Sequence, residues 1–136
     1  MIGVLADTGF LVALFSRRDP LRRAARKHLQ VHTYPMATVA PVIVETSFFL
    51  GPQGKADLLE AVLRGAIAVS ELPPEAYREI RTLVLKYADR DVDFADAALI
   101  WFAGVSGCRS VLTVDERDFS VYRIKGNKRF DVVAWQ

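Results

Sequence analysis

Short apolar runs alternate along the chain with longer amphipathic segments. The runs are typical of parallel strands that are covered on both faces, and they predict strands at residues 2–6, 36–39, 66–69, 110–114 and 130–134. The amphipathic segments predict helices at residues 19–31, 41–50, 55–64, 73–88 and 92–105. Because strands that alternate with helices form βαβ units, the pattern predicts a three-layer α/β fold. In this fold, helices flank a five-stranded parallel sheet.

The predicted helices differ in how much of their surface is apolar. The inward face of the helix predicted at residues 55–64 consists of Leu58, Leu59, Val62 and Leu63. That of the helix predicted at residues 73–88 consists of Ile80, Val84 and Tyr87. Residues 92–105 are apolar almost all round, so we expect this helix to be buried.

Composition supports one domain over residues 1–136, because 51% of the chain is hydrophobic and 25% is charged. The apolar start lacks a basic leader and is interrupted by Asp7, which argues against a signal peptide. No apolar run approaches the ~18 residues of a membrane span. We therefore expect a cytoplasmic protein without a membrane segment. Cys108 is the only cysteine, which excludes an intrachain disulfide and a cysteine-based zinc site.

Basic residues are clustered although the net charge is only +2. Residues 17–27 contain six arginines and lysines against the single acid Asp19, and residues 123–129 contain four and no acid. Such clusters suit a polyanion, because neutralised phosphates release their counterions. A solvated helix face and a charged loop are the alternative interpretation.

Acidic residues follow two of the predicted strands. Asp7 comes directly after residues 2–6, and Asp115 comes directly after residues 110–114. In a parallel sheet both aspartates lie at the carboxyl edge, where ligands bind if the strand order reverses. The pattern therefore predicts a site at this edge.

Two more acids occupy helical positions that favour apolar residues. Asp93 is a predicted N-cap, and Asp96 lies in the first turn, where it could simply complement the helix dipole. No lysine or arginine in this helix could pair with it, however. Glu45 has apolar neighbours three and four residues away, so it is expected to face inward. A buried salt bridge between Glu45 and an arginine is the alternative.

Four converging carboxylates require charge compensation. Two carboxylates about 5 Å apart repel by about 3 kcal/mol at an effective dielectric constant near 20. Protonation or divalent cations would relieve this repulsion, and we favour the cations. A ligand set of oxygen atoms alone suits Mg²⁺ or Mn²⁺ better than zinc.

With these acids in view, the chain resembles the PIN-domain nucleases, and among them the toxins of VapBC-type toxin–antitoxin pairs. Four segments match the family in order and span nearly the whole chain: residues 7–15, 42–45, 93–98 and 112–119. Each segment is weakly specific alone, whereas the ordered set is fairly specific.

The resemblance implies an endoribonuclease that depends on Mg²⁺ or Mn²⁺ and cleaves single-stranded RNA. By position, the catalytic acids would be Asp7, Glu45, Asp96 and Asp115, and Asp118 competes with Asp115 as the fourth acid. Metal ligands would be drawn from Asp7, Asp96, Asp115 and Asp118, and one or two ions remain possible. Thr8 and Thr113 match hydroxyl positions that could orient the carboxylates. The resemblance also suggests a homodimer and a protein antitoxin.

Charge alone selects candidates that would hold the RNA backbone: Arg17, Arg18, Arg22, Arg123 and Lys125. Three alternatives to a nuclease are a phosphatase, a receiver domain and a binding module. A haloacid-dehalogenase-like phosphatase would have a second aspartate at Gly9, and a receiver domain would have an aspartate at the end of the third strand. A PIN-like module that binds RNA or protein without cleavage remains open.

Overall fold

The computed structural model describes residues 1–136 and contains seven strands. They are β1 (Val4–Ala6), β2 (Met36–Val39), β3 (Ile67–Ser70), β4 (Ser110–Leu112), β5 (Arg123–Ile124), β6 (Lys128–Arg129) and β7 (Asp131–Val132). Five of them form a parallel sheet in the order β3-β2-β1-β4-β7, while β5 and β6 form a separate antiparallel hairpin. The predicted five-stranded parallel sheet is confirmed, although β4 ends at Leu112 and not at Val114.

Seven α-helices flank the sheet. They are α1 (Thr8–Phe15), α2 (Arg22–Val31), α3 (Ala40–Phe48), α4 (Pro52–Leu63), α5 (Ala76–Lys86), α6 (Phe94–Ser106) and α7 (Glu116–Val121). The five predicted helices are present with shifted ends, whereas α1, α7 and the hairpin were not predicted. No helix combines the length and apolar character needed to cross a bilayer.

The core contains 35 buried apolar side chains, and α6 contributes more of them than any other helix. Every residue of α6 from Ala95 to Ala103 is buried, as its apolar sequence predicts. By contrast, the predicted inward orientation of Leu59, Leu63 and Val84 is wrong, because all three are exposed. Their helices touch the core along narrower strips than predicted, so residues beside each strip face solvent.

The order of the strands determines where a ligand site can lie. From β1, the chain adds β2 and β3 on one side and then returns to place β4 on the other side. The order therefore reverses between β1 and β4, which is where open α/β sheets bind ligands, beyond the carboxyl ends of the strands. Asp7 and Thr113 immediately follow these two strands.

Candidate active site

Asp7 follows β1 and is hydrogen-bonded to Thr113, the residue that follows β4. Its carboxylate is 5% exposed, and its Oδ2 accepts a hydrogen bond of 2.7 Å from the Thr113 hydroxyl. The same hydroxyl oxygen accepts a hydrogen bond of 2.9 Å from the backbone N–H of Asp115. The other oxygen of Asp7, Oδ1, is buried without any hydrogen-bond partner. Burial is the main reason why the pKa of Asp7 rises to about 6.

Asp96 lies in the first turn of α6, which Asp93 caps. The Asp93 carboxylate accepts a hydrogen bond of 2.8 Å from the Asp96 backbone N–H, so the predicted N-cap is confirmed. The buried Tyr122 hydroxyl donates to Asp96 Oδ2 at 2.9 Å. Burial, followed by the nearby negative charge of Asp7, raises the pKa of Asp96 to about 8. The structure therefore holds this carboxylate in one orientation, in surroundings that disfavour its charge.

Asp115 and Asp118 lie at the start of α7, next to Asp96. One carboxylate oxygen from each of Asp96, Asp115 and Asp118 lies within 4.8 Å of the other two. Arg90 pairs with Asp118 at 2.8 Å, whereas Asp115 has no cationic partner. Burial is the largest cause of the raised pKa of Asp115, and its contact with Asp118 adds to it. Of these neighbouring carboxylates, only Asp118 is neutralised within the protein.

Glu45 faces the same space from α3. Together with Asp7, Asp93, Asp96 and Asp115 it lines a depression of about 520 Å³, here called the acidic groove. Glu45 is half-buried and forms no salt bridge, so the alternative of an arginine partner for Glu45 is wrong. Its negative charge contributes to the raised pKa values of both Asp7 and Asp96. The four predicted catalytic acids thus converge.

Comparison with known proteins identifies the family of this fold. The family model described as the PIN domain matches residues 4–125, a range that includes every acid of the groove. The chain belongs to the PIN-domain family. This assignment sets aside the haloacid-dehalogenase and receiver alternatives.

The PIN domain has similar relatives of known activity and structure. It is 28% identical over 134 residues to ribonuclease VapC26 of Mycobacterium tuberculosis H37Rv, and the alignment covers 96% of this chain and 99% of that protein. It resembles the structure of M. tuberculosis VapC20, a sarcin-ricin loop cleaving toxin, with a TM-score of 0.73, 19% identity, and coverage of 80% and 87%. A chain of a toxin–antitoxin complex from Klebsiella pneumoniae gives a TM-score of 0.66 and 19% identity, with 98% of both chains covered. At 19% identity, the two structural matches show that the fold is shared and no more than that.

The donor atoms of this PIN domain are suited to a divalent cation. The groove presents carboxylate oxygens and no histidine or cysteine, a donor set that hard cations such as Mg²⁺ prefer. The buried Asp7 Oδ1 without a partner is a free acceptor, and such atoms are rare in folded proteins. The residues present therefore fit the metal that the resemblance implies.

The two predicted supporting hydroxyls differ in the structure. Thr113 binds the Asp7 carboxylate, as expected for an orienting residue. Thr8 is buried, but its hydroxyl has no hydrogen-bond partner and contacts no acid through a hydrogen bond.

The predicted RNA-binding residues lie in different surroundings. Arg17 and Arg18 are exposed after the end of α1, and Arg22 donates to the Leu14 carbonyl at 3.5 Å. The Nη1 nitrogen of the Arg123 guanidinium donates to three backbone carbonyls near the end of α7, which ties this side chain to its own segment. Lys125 lies beside Gly104, about 12 Å along α6 from Asp96 at 1.5 Å per residue.

Three further residues contact the acids or line the groove beside them, although the sequence did not predict these roles. Asp93 was predicted only as a cap, yet it also lines the groove, and its spacing of three from Asp96 placed both on one helix face. Tyr122 contacts Asp96, which is 26 residues away in the sequence, and Arg90 contacts Asp118, which is 28 residues away. No local pattern indicates contacts over such separations.

Proposed function

We propose that this PIN domain is a metal-dependent endoribonuclease that hydrolyses phosphodiester bonds of single-stranded RNA. The observation that carries the proposal is the convergence of Asp7, Asp96 and Asp115, whose carboxylates have no cationic partner in the chain. The 28% identity to ribonuclease VapC26 over nearly the full length of both chains supports the same activity.

Asp7, Asp96 and Asp115 are the proposed ligands for Mg²⁺ or Mn²⁺. We assign Asp115 rather than Asp118 as the fourth acid, because Arg90 already neutralises Asp118. Asp118 then acts through its hydrogen bond with Asp115, whose Oδ1 accepts from the Asp118 backbone N–H at 3.4 Å. When bound, a divalent cation supplies Lewis acidity, which lowers the pKa of a water molecule and neutralises phosphate charge.

The remaining chemistry belongs to side chains of the groove. Glu45 lines the same groove as Asp96, is half-buried and has no cationic partner, so it can accept a proton from a water molecule and orient that water. Thr113 and Tyr122 hold Asp7 and Asp96 in place through their hydroxyl groups. No serine, cysteine or histidine nucleophile lines the groove, which fits attack by water on the phosphodiester.

We also propose that the protein is the toxin of a toxin–antitoxin pair and acts in the cytoplasm. Support comes from the similarity to VapC proteins and from the shared fold with a chain of the K. pneumoniae toxin–antitoxin complex. We expect a protein antitoxin and a homodimer. Light scattering on the purified chain tests the dimer, which requires about twice the mass of 15.2 kDa.

The nuclease proposal is tested by titrating Mg²⁺ and Mn²⁺ in a cleavage assay with a fluorogenic single-stranded RNA. Wild type is compared with Asp7→Asn, Asp96→Asn and the control Asp131→Asn, which removes an exposed charge on β7. We expect a loss of activity of at least about 100-fold in the first two variants, because each removes one ligand of the cation. The control should cleave like wild type.

Two results would contradict the nuclease proposal. Wild type that binds RNA but never cleaves it at any concentration of Mg²⁺ or Mn²⁺ would indicate a binding module without catalysis. Equal cleavage by wild type, Asp7→Asn and Asp96→Asn would show that the acidic groove is not the active site.

A further inference from the structure

A basic surface continues directly from the acidic groove. The groove extends to Asp19 and Pro20, and these same residues begin a second depression along α2, which Arg22, Arg23, Arg26 and Lys27 line. We call these four cations the α2 basic face. The acidic and basic surfaces therefore share a border, and a bound chain can pass from one to the other.

The cations of the α2 basic face have no acidic partners. The two salt bridges of the structure join Arg64 to Glu60 and Arg90 to Asp118, so none of the four cations takes part in one. Arg23, Arg26 and Lys27 are exposed. Asp19, the acid at this border, accepts the Leu21 backbone N–H at 2.8 Å. The donors of Arg23, Arg26 and Lys27 are therefore available to phosphate oxygens, whereas Arg22 also donates to the Leu14 carbonyl.

A cavity of about 600 Å³ follows at the far side of the α2 basic face, between α2, α4 and the first residues of β2 and β3. Here it is called the distal cavity. Arg22, Arg26 and Gln30 border both surfaces, while the α4 side contributes Asp57, Glu60 and Arg64, of which Arg64 pairs with Glu60 at 3.8 Å. The volume lies within the range of small-ligand pockets, which is about 300–1,000 Å³.

Aromatic rings line one wall of the distal cavity. His32 is exposed and lies against the buried His28 ring in a tilted arrangement, with 4.3 Å between the centroids. Tyr34 lies 5.9 Å from His32 in a tilted arrangement, and its hydroxyl is hydrogen-bonded to His28 Nε2. These contacts hold the rings in place before any ligand binds. Ordered rings beside arginines are the usual platform for an unstacked base of single-stranded RNA.

We propose that the distal cavity is a second RNA-binding subsite of this protein, where one base stacks on His32 and Tyr34 while the α2 basic face binds the intervening phosphates. The proposal rests on the proposed ribonuclease function, because it concerns the same RNA strand. From Arg22 to Gln30, α2 spans about 12 Å at 1.5 Å per residue. At about 3.4 Å per stacked nucleotide, this distance corresponds to three or four nucleotides. Cleavage should therefore favour RNAs that reach beyond the acidic groove.

The test uses the full-length chain, a labelled single-stranded RNA of about 12 nucleotides, and the double variant Arg23→Ala/Arg26→Ala. Binding is measured by fluorescence anisotropy in EDTA, so that the RNA is not cleaved, over a series of salt concentrations. Each phosphate contact on a single strand contributes about 0.7 to the slope of log affinity against log salt. We therefore expect the slope of the double variant to fall by about 1.4. The control Arg78→Ala/Arg81→Ala removes the same charge from the exposed surface of α5 and should not change the slope.

The aromatic wall is tested separately with His32→Ala. Loss of one stacked base should weaken binding about 5- to 150-fold, and in cleavage assays it should raise KM more than it lowers kcat. Val31→Ala, which alters the adjacent exposed side chain, is the matched control and should bind like wild type. RNAs too short to leave the acidic groove should be cleaved equally by wild type and His32→Ala.

The outcomes distinguish this proposal from the proposed function. If wild type cleaves RNA but both sets of variants bind and cleave like wild type, the distal subsite is wrong and the nuclease stands. Unchanged RNA binding and cleavage in these variants is also the result expected if the distal cavity binds a segment of a protein and not RNA. If wild type neither binds nor cleaves RNA, the proposed function itself fails.

Discussion

The neighbouring carboxylates of the acidic groove differ in whether the protein supplies a partner that offsets their negative charge. Asp118 is neutralised by Arg90, whereas Asp7 has one oxygen bound by Thr113 and the other without a partner. Asp96 accepts a single side-chain donor, the buried Tyr122 hydroxyl. Because a buried carboxylate without a cation is unfavourable, these two residues are the ones whose chemistry a bound metal would change most.

Tyr122→Phe should weaken metal binding and shift the cleavage profile to higher pH. The Tyr122 hydrogen bond favours the ionised form of Asp96 and lowers its pKa, so the variant should raise that pKa above its present value of about 8. Tyr122 is a positioning residue, since it acts through Asp96. The measurements are Mn²⁺ affinity by calorimetry and the pH dependence of kcat/KM.

Tyr87→Phe is the matched control for this effect. Tyr87 is also buried and packs edge-on against Tyr122, but its hydroxyl accepts the Arg123 backbone N–H and contacts no carboxylate. Both variants should lose about 1 kcal/mol of stability, the usual contribution of one hydrogen bond. If both shift the pH profile equally, Tyr122 has only a structural role.

At the level of elements, the site depends on how closely α1 approaches the segment after β4. A side chain at Gly9 would place its Cβ 2.2 Å from Val114 Cγ2 and 3.2 Å from Val114 Cβ. Only glycine permits this contact, which brings Asp7 at the start of α1 next to Thr113 and Asp115. Gly9 stands where a haloacid-dehalogenase-like phosphatase would have its second aspartate, and its packing against Val114 supplies a physical reason for a glycine here.

Gly9→Ala should destabilise the protein by about 1–3 kcal/mol, as overpacking of a filled space does, and should also reduce metal affinity. The methyl group would push Val114 outward and carry Asp115 with it. Gly51→Ala is the control, because a Cβ at Gly51 meets nothing within 4 Å. Thermal unfolding and Mn²⁺ titration measure both effects. Unchanged metal affinity in a destabilised Gly9→Ala variant would show that this contact does not position Asp115.

The predictions of strands and helices were confirmed where the sequence carries a local signal. Alternating apolar runs located all five sheet strands, and the apolar sequence of α6 predicted its burial. The short helix α1 was missed because its residues are nearly all apolar and therefore show no helical period. The β5–β6 hairpin did carry a signal, since its three-residue loop, Lys125-Gly126-Asn127, contains a glycine, and both Gly126 and Asn127 have positive φ.

At the level of the whole molecule, the acidic groove couples stability to pH. The pKa values of Asp7 and Asp96 rise from 3.8 to about 6 and about 8 on folding. Raised values mean that the folded chain binds these protons more tightly than the unfolded chain does. Their stabilising contribution is therefore complete below about pH 4 and is lost as the pH rises through 6 and then 8.

Without metal, the melting temperature should consequently fall between about pH 5.5 and pH 9, on the order of 10 °C. Mg²⁺ or Mn²⁺ should reverse the fall, most strongly at high pH, because the cation binds the ionised carboxylates. Differential scanning fluorimetry in EDTA and in Mn²⁺ measures this dependence. Asp96→Asn should flatten the curve in EDTA, while Asp131→Asn should retain it; a flat wild-type curve would contradict the raised pKa values.

The sequence by itself determined the alternation of strands and helices, the cap at Asp93, and the placement of acids after strands and in a helical first turn. These features depend on residues a few positions apart, so local pattern is sufficient for them. The tertiary structure alone decided which carboxylates lose contact with water and which find a partner. Arg90 reaches Asp118 and Tyr122 reaches Asp96 only because folding brings together residues 28 and 26 positions apart. Desolvation and pairing are properties of that assembled environment.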